Sequence, residues 1–337
     1  MLRCGFALPP SGLPPPSATW PPSATLRRSS LVSELRGQAS RSQHPPEVVV
    51  FDAMRTALLL PAGPVQAVDY VCTATPHSVP FVELHHEYSL SFVRRGSFGC
   101  HTRGRSFELV AGSVLVGRPG DEFLCTHEHH AGGDECLSFR FSAECLDELG
   151  VRGEAMLSRG LPPLPELMVL GELAQAVADG ASDAGLDEVG LCFAARFAQI
   201  TSACAPPKVS VAERDRKRAV DVAHWLSCSF QEPIDWEHVA GVVGLSRFHF
   251  LRSFAKVLGV TPHQYLVRAR LRHAVRLLAE RELSVTEVAL AVGFEDLSNF
   301  IRTFRRAAGV SPSVFRLAAR GERNILQAKI CAPPETD

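Results

Sequence analysis

Asp235-Trp-Glu-His-Val-Ala-Gly-Val-Val-Gly-Leu-Ser246 reads as a short apolar-faced helix closed by a glycine turn. Ser284-Val-Thr-Glu-Val-Ala-Leu-Ala-Val-Gly-Phe294 reads the same way. Val239, Ala240, Val243 and Gly244 fall on Val288, Ala289, Val292 and Gly293. One inserted residue later, Phe250, Arg252, Phe254 and Gly259 fall on Phe300, Arg302, Phe304 and Gly309. A duplication this dense decides the fold of this part of the chain.

Each copy predicts helix, tight turn, helix. Asp235 and Ser284 are N-cap residues, whose side-chain oxygens take an orphan backbone N–H. Gly244 and Gly293 sit where the chain must turn sharply at positive φ. The second helices are expected to begin near Ser246 and between Asp296 and Ser298. Phe250 and Phe254 lie four residues apart and share a buried face, as do Phe300 and Phe304. The opposite faces carry Arg247, Phe248, Leu251, Arg252 and Lys256 in one copy. In the other they carry Ser298, Asn299, Ile301, Arg302, Arg305 and Arg306. Arginine and asparagine read guanine and adenine edges bidentately in the major groove, and the remaining polar groups suit phosphate oxygens. Thr261-Pro262 is expected to open a helix running to about Ala279. Some eighteen residues would span roughly 27 Å, enough to set two reading helices about one DNA turn, ~34 Å, apart.

The run Val288-Ala-Leu-Ala-Val-Gly-Phe-Glu-Asp-Leu-Ser-Asn-Phe300, with Gly309-Val-Ser-Pro-Ser-Val-Phe-Arg316, resembles the DNA-binding domain of the AraC/XylS family of bacterial transcription regulators. The resemblance covers about a third of the chain. It implies two helix-turn-helix units joined by a helix, promoter binding, and activation by touching RNA polymerase. Phe248, Leu251, Arg252, Ser298, Asn299 and Arg302 match the family's base-contacting positions. Leu251 is apolar where many relatives are polar, which suits a thymine methyl.

Charge is divided to match. Residues 213–320 carry 17 Lys and Arg against 11 Asp and Glu, an excess of six, and the rest of the chain is net −7. A cationic third on an acidic body fits a polyanion on one side only. Ten cysteines without regular spacing, and no export signal, suggest free thiols in the cytoplasm. No apolar run approaches the roughly 18 residues of a membrane span.

Residues 1–46 are Pro- and Ser-rich and are expected to be a disordered extension. Over 47–145 the period becomes two: Tyr88, Leu90 and Phe92 alternate with serines, and Thr102-Arg-Gly-Arg105 suggests a hairpin. Short strands at regular turn spacing fit a cupin-like barrel. His85-His-Glu-Tyr88 and a strand ending at Gly96 resemble the first cupin motif of the family's sensor half. In the second motif Gly112 and Pro119-Gly120 are kept, but Asp121-Glu122 replaces the expected histidine. If residues 121–130 form a strand, Cys125, His127 and His129 share a face, and thiolate with imidazole suits zinc or copper. The spacing matches no closed zinc motif, so no cofactor or metal is assigned, and these three stand as candidates only.

Residues 146–206 return to helical spacing. Leu164, Leu167, Leu170, Leu173 and Val177 mark one helix; Val189, Cys192, Phe193, Phe197 and Ile200 mark another. They are expected to dimerise the chain or link its halves. A DNA-binding domain over 213–320 and a flexible tail over 321–337 follow.

The expected architecture is thus α+β and multidomain: a cupin-like β-barrel with flanking helices, then an all-α domain with two helix-turn-helix units. The expected function is a regulator that binds promoter DNA and answers to a small-molecule, redox or metal effector. A metal-dependent cupin enzyme with a DNA-binding appendage is the alternative, and a DNA-architectural protein without effector is a third reading. No nucleophile–base pair and no phosphate-cradling glycine loop point to catalysis.

Overall fold

The computed structural model describes residues 48–51, 54–61, 63–80, 82–128, 130, 133–151, 153–201, 211–280 and 283–326. The expectation of disorder over 1–46 lies outside them, as does His129.

The amino-terminal half is mainly sheet. Its strands are β1 (Val48–Phe51), β2 (Met54–Leu60), β3 (Val65–Cys72), β4 (Val82–Leu84), β5 (Tyr88–Thr102), β6 (Arg105–Val110), β7 (Val114–Gly117), β8 (Glu122–Thr126) and β9 (Asp134–Phe141). Helix α1 (Ala143–Glu148) and strand β10 (Arg159–Leu161) follow. All the described pairings are antiparallel, in the order β1-β2-β3-β9-β5-β7-β10, with β6 and β8 also on β5 and β4 on β8.

Strand β5 serves two sheets. Residues 88–96 pair with β9, and 97–102 with β6. The change falls at Gly96, which has φ +69°, and a Cβ there would lie 2.1 Å from the Gly133 carbonyl oxygen. The strand expected to end at Gly96 therefore bends there and continues, because glycine alone permits the kink. The expected hairpin is present: Arg103 and Gly104, both at positive φ, join β5 to β6 in two residues, the geometry whose twist matches the flanking strands.

β10 corrects the expectation that residues 146 onward are helical. Three residues pair with β7 and extend the sheet to Leu161; a run so short carries no readable period.

Helices α2 (Pro165–Ala178) and α3 (Leu186–Thr201) lie where expected. In α2, every residue from Leu167 to Ala176 is buried. Helix and sheet meet so closely that a Cβ on Gly171 would lie 2.5 Å from the Phe92 ring. A helix enclosed on all sides offers no stripe for a second subunit. The buried stripe of α3, including Phe193 and Phe197, likewise joins the chain's own core. Cys192 is disulfide-bonded, against the expectation of thiols throughout.

The carboxyl-terminal half is helical: α4 (Glu213–Cys228), α5 (Trp236–Val242), α6 (Arg247–Leu258), α7 (Pro262–Glu280), α8 (Val285–Ala291), α9 (Leu297–Ala308), α10 (Pro312–Ala319) and α11 (Arg323–Ile325). Leu326, within the expected flexible tail, is buried at 1% exposure. One apolar core runs from Val65 through α2 and α7 to Leu326. No helix of the described residues is long and apolar enough to cross a membrane.

Candidate nucleic-acid interface

The two copies of the repeat fold alike. Asp235 caps α5, its Oδ1 accepting from the Glu237 and His238 backbones at 2.9 and 3.3 Å. Ser284 caps α8 in a capping box: the Glu287 N–H donates to its Oγ at 3.2 Å, and its own N–H donates to Glu287 Oε2 at 2.7 Å. Gly244 and Gly293 turn at φ +70° and +86°. After each, the chain closes with an equivalent bond, Leu245 N–H to Ala240 O and Phe294 N–H to Ala289 O, both 3.0 Å.

Helix α6 starts on Ser246, as the sequence predicts, and α9 on Asp296, whose oxygens accept from the Ser298 and Asn299 backbones at 3.0 and 2.9 Å. Gly259 and Gly309 end them in the left-handed conformation. Phe250 and Phe254 are buried with centroids 6.0 Å apart, and Phe254 meets Tyr265 of α7. Phe300 and Phe304 are buried at 5.7 Å, and Phe304 meets Phe315 of α10. These rings lock each second helix to its scaffold and turn the other face outward.

On the outward face of α6, Arg247, Phe248, Arg252 and Lys256 are exposed, Phe248 to 75%. Leu251 is half-buried and packs on the core, so little of it faces out. On α9, Ser298, Asn299, Arg302, Arg305 and Arg306 are exposed. The Arg302 guanidinium donates to Asn299 Oδ1 at 3.2 Å, and Thr303 Oγ1 donates to the same oxygen at 3.4 Å. Two side chains able to read bases are thus held together before any contact.

Helix α7 joins the two units. Its Arg270 donates to the Phe230 and Glu232 carbonyls at 2.8 and 3.2 Å, and its guanidinium lies 5.9 Å from the Phe294 ring centroid. The α4–α5 loop is thereby tied to the second turn, where a Cβ on Gly293 would lie 2.6 Å from Gln231 O. Neither α4 nor the role of Arg270 was read from the sequence. The amphipathic pattern of 213–228 could have given the helix; the arginine left no signal.

The thiol and imidazole candidates separate. Cys125 pairs across strands with Cys100 on β5, and burial pushes its thiol well up. His127 lies just beyond β8 and meets two residues the sequence did not single out as ligands, Cys72 and Asp134. Burial alone would lower the His127 pKa, but bonds to Asp134 and Cys72 push it up to about 9. His85, of the cupin-like motif, stacks on Phe123 at 4.1 Å, and burial takes its pKa down to about 4. Asp121, where that motif has histidine, is held by Arg103 at 3.0 Å.

Residues 239–318 match a family model described as a helix-turn-helix domain, which defines the class of this part of the chain. The RhaS transcriptional activator of Enterobacter sp. strain 638 is 38% identical over 104 residues, 31% of this chain and 37% of that protein. The probable transcriptional regulator LumQ of Photobacterium leiognathi is 33% identical over 106 residues, 32% of this chain and 43% of its own. RhaS of Pectobacterium carotovorum is 28% identical over 261 residues, 72% of this chain and 89% of that protein. The chain thus spans less than half the length of the first curated relatives it matches. Among solved structures, the DNA-binding domain of AdpA in complex with a target DNA is 35% identical, covering 30% of this chain and 91% of that one, with TM-score 0.29. Residues 239–318 thus carry a helix-turn-helix domain of the AraC/XylS type, and the relatives that match it are named as transcriptional regulators.

Proposed function

We propose that this chain is a sequence-specific, DNA-binding transcriptional activator that reads two successive major-groove segments through α6 and α9. The observation that carries this reading is the pair of alike helix-glycine-helix units, each with a buried phenylalanine pair behind an exposed cationic face. Arg252, Asn299 and Arg302 read base edges, Phe248 takes a thymine methyl, and Leu251 contributes its outward edge. Arg247, Lys256, Ser298, Arg305 and Arg306 hold phosphates. The division is 47–145 for a cupin-like sensor, 146–206 for a helical linker and 213–320 for the reader. RNA polymerase is the partner that the activator names of the relatives suggest, a homodimer would use surfaces other than the buried stripes of α2 and α3, and the cytoplasm is the site of action.

Selection from random duplexes tests the reading and is expected to return a bipartite site with halves about one helical turn apart. Arg252→Ala and Arg302→Ala should each weaken that site by about 1–3 kcal/mol and relax preference in one half only. Equal losses on selected and random duplex would refute base reading.

A further inference from the structure

We infer that the amino-terminal half carries a Zn²⁺ site formed by Cys72, His127 and Asp134. Three separate stretches supply the ligands: Cys72 ends β3, Asp134 begins β9, and His127 follows β8. Cys72 and Asp134 are direct cross-strand partners. The Cys72 Sγ lies 3.7 Å from His127 Nε2, which lies 3.4 Å from Asp134 Oδ2. All three donor atoms fall within 4.8 Å of one another. Zinc bonds of about 2.3 Å to sulfur and about 2.0–2.1 Å to nitrogen and oxygen give tetrahedral edges of roughly 3.6 and 3.3 Å. The two separations, 3.7 and 3.4 Å, lie within about 0.1 Å of those edges.

The donor set selects the metal. A thiolate, a neutral imidazole and a carboxylate carry two negative charges against a dication. The soft sulfur favours zinc over magnesium or calcium. Three protein ligands leave one tetrahedral position for an exogenous ligand.

The backbone is built to bring these groups together. A Cβ on Gly133 would lie 2.0 Å from the Cys72 carbonyl oxygen, and one on Gly96 would lie 2.1 Å from the Gly133 oxygen. Two glycines at positive φ therefore let three chain segments converge beside the ligands. The His130 N–H donates to His127 O at 3.0 Å and fixes the turn that carries the imidazole. The Cys136 thiol donates to Asp134 Oδ1 at 3.5 Å, leaving Oδ2 directed at His127; such outer partners orient ligating groups. The side chains of His127 and Asp134 are 8% and 10% exposed, while Cys72 gives the site an opening.

The test uses the reduced, metal-stripped full chain titrated with Co²⁺ and then Zn²⁺, and it does not depend on DNA binding. One Co²⁺ per chain is expected, with a sulfur-to-cobalt charge-transfer band and intense tetrahedral d–d absorption, both removed by one equivalent of Zn²⁺ and unchanged by excess Mg²⁺. Cys72→Ser should abolish the charge-transfer band. His127→Ala and Asp134→Asn should each weaken Zn²⁺ at least tenfold. Cys145→Ser, on α1, should behave as the parent. Cys72→Ser is near-isosteric at a half-buried position, so it and the parent spectrum decide the matter if His127→Ala does not fold. A Co²⁺ complex without a sulfur band, no stoichiometric binding, or unchanged affinity in folded Cys72→Ser would overturn the assignment.

Discussion

At the scale of single residues, Arg302 and Asn299 illustrate what the fold adds to a motif. They stand three positions apart on an exposed face, and the 3.2 Å bond between them limits the conformations each must lose on meeting DNA. On the proposed reading, Asn299→Ala should therefore cost more than its own base contact, because Arg302 loses its support. A double-mutant cycle on duplex binding is expected to give a coupling of about 0.5–3 kcal/mol. Glu108 makes a second case. Burial alone would raise its carboxyl, but His130 at 3.0 Å and Arg216 of α4 at 2.8 Å hold it below the usual 4.5. A depressed folded value gives stability that is present above the unfolded pKa and lost as pH falls through the folded one. Glu108→Gln should be less stable than the parent at pH 7, and the gap between their urea midpoints should narrow below about pH 4.5. A gap that does not change between pH 7 and pH 4 would contradict the pairing.

At the scale of elements, the glycines separate the demanding turns from the permissive ones. Gly293→Ala meets both a positive φ and the Gln231 carbonyl, and should cost about 1–3 kcal/mol in thermal or denaturant unfolding. Gly104→Asn, with nothing within 4 Å and a turn type that accepts asparagine, should stay within about 0.5 kcal/mol. The sequence announced α5, α6, α8 and α9 because local chemistry defines them: a capping oxygen, a glycine, and phenylalanines four apart. It announced the β5–β6 hairpin for the same reason. It was silent on β10, whose three residues exist only because β7 offers an edge. It also misled on Cys125 as a companion of His127, because alternation along one strand says nothing of which strands lie alongside. Cys72, 55 residues away, became visible as a ligand only when β3 met β9.

Across the molecule, the amino-terminal half and the helical half share buried charge as well as apolar core. Glu172 of α2 is fully buried and pairs with Arg272 at 3.3 Å and Arg276 at 2.6 Å, both on α7. The Tyr265 hydroxyl of α7 donates to Ala111 O at 3.5 Å, and Ser182 Oγ to Ala319 O at 2.6 Å. Removing one member of a buried ion pair strands the other, at about 3–5 kcal/mol. Glu172→Ala should lower the unfolding midpoint accordingly, and replacing Glu172, Arg272 and Arg276 together by Met should recover much of the loss.

Because α2 is wrapped by strands on one side and by α7 on the other, the two halves have no clean seam between them. A protease cut anywhere from residue 202 to 210 should therefore leave a nicked protein that migrates in gel filtration at the parent mass and parts only in denaturant. A cloned fragment beginning at residue 211 would carry a raw greasy wall where α2 should lie, and should precipitate or self-associate rather than behave as a tidy minimal reader.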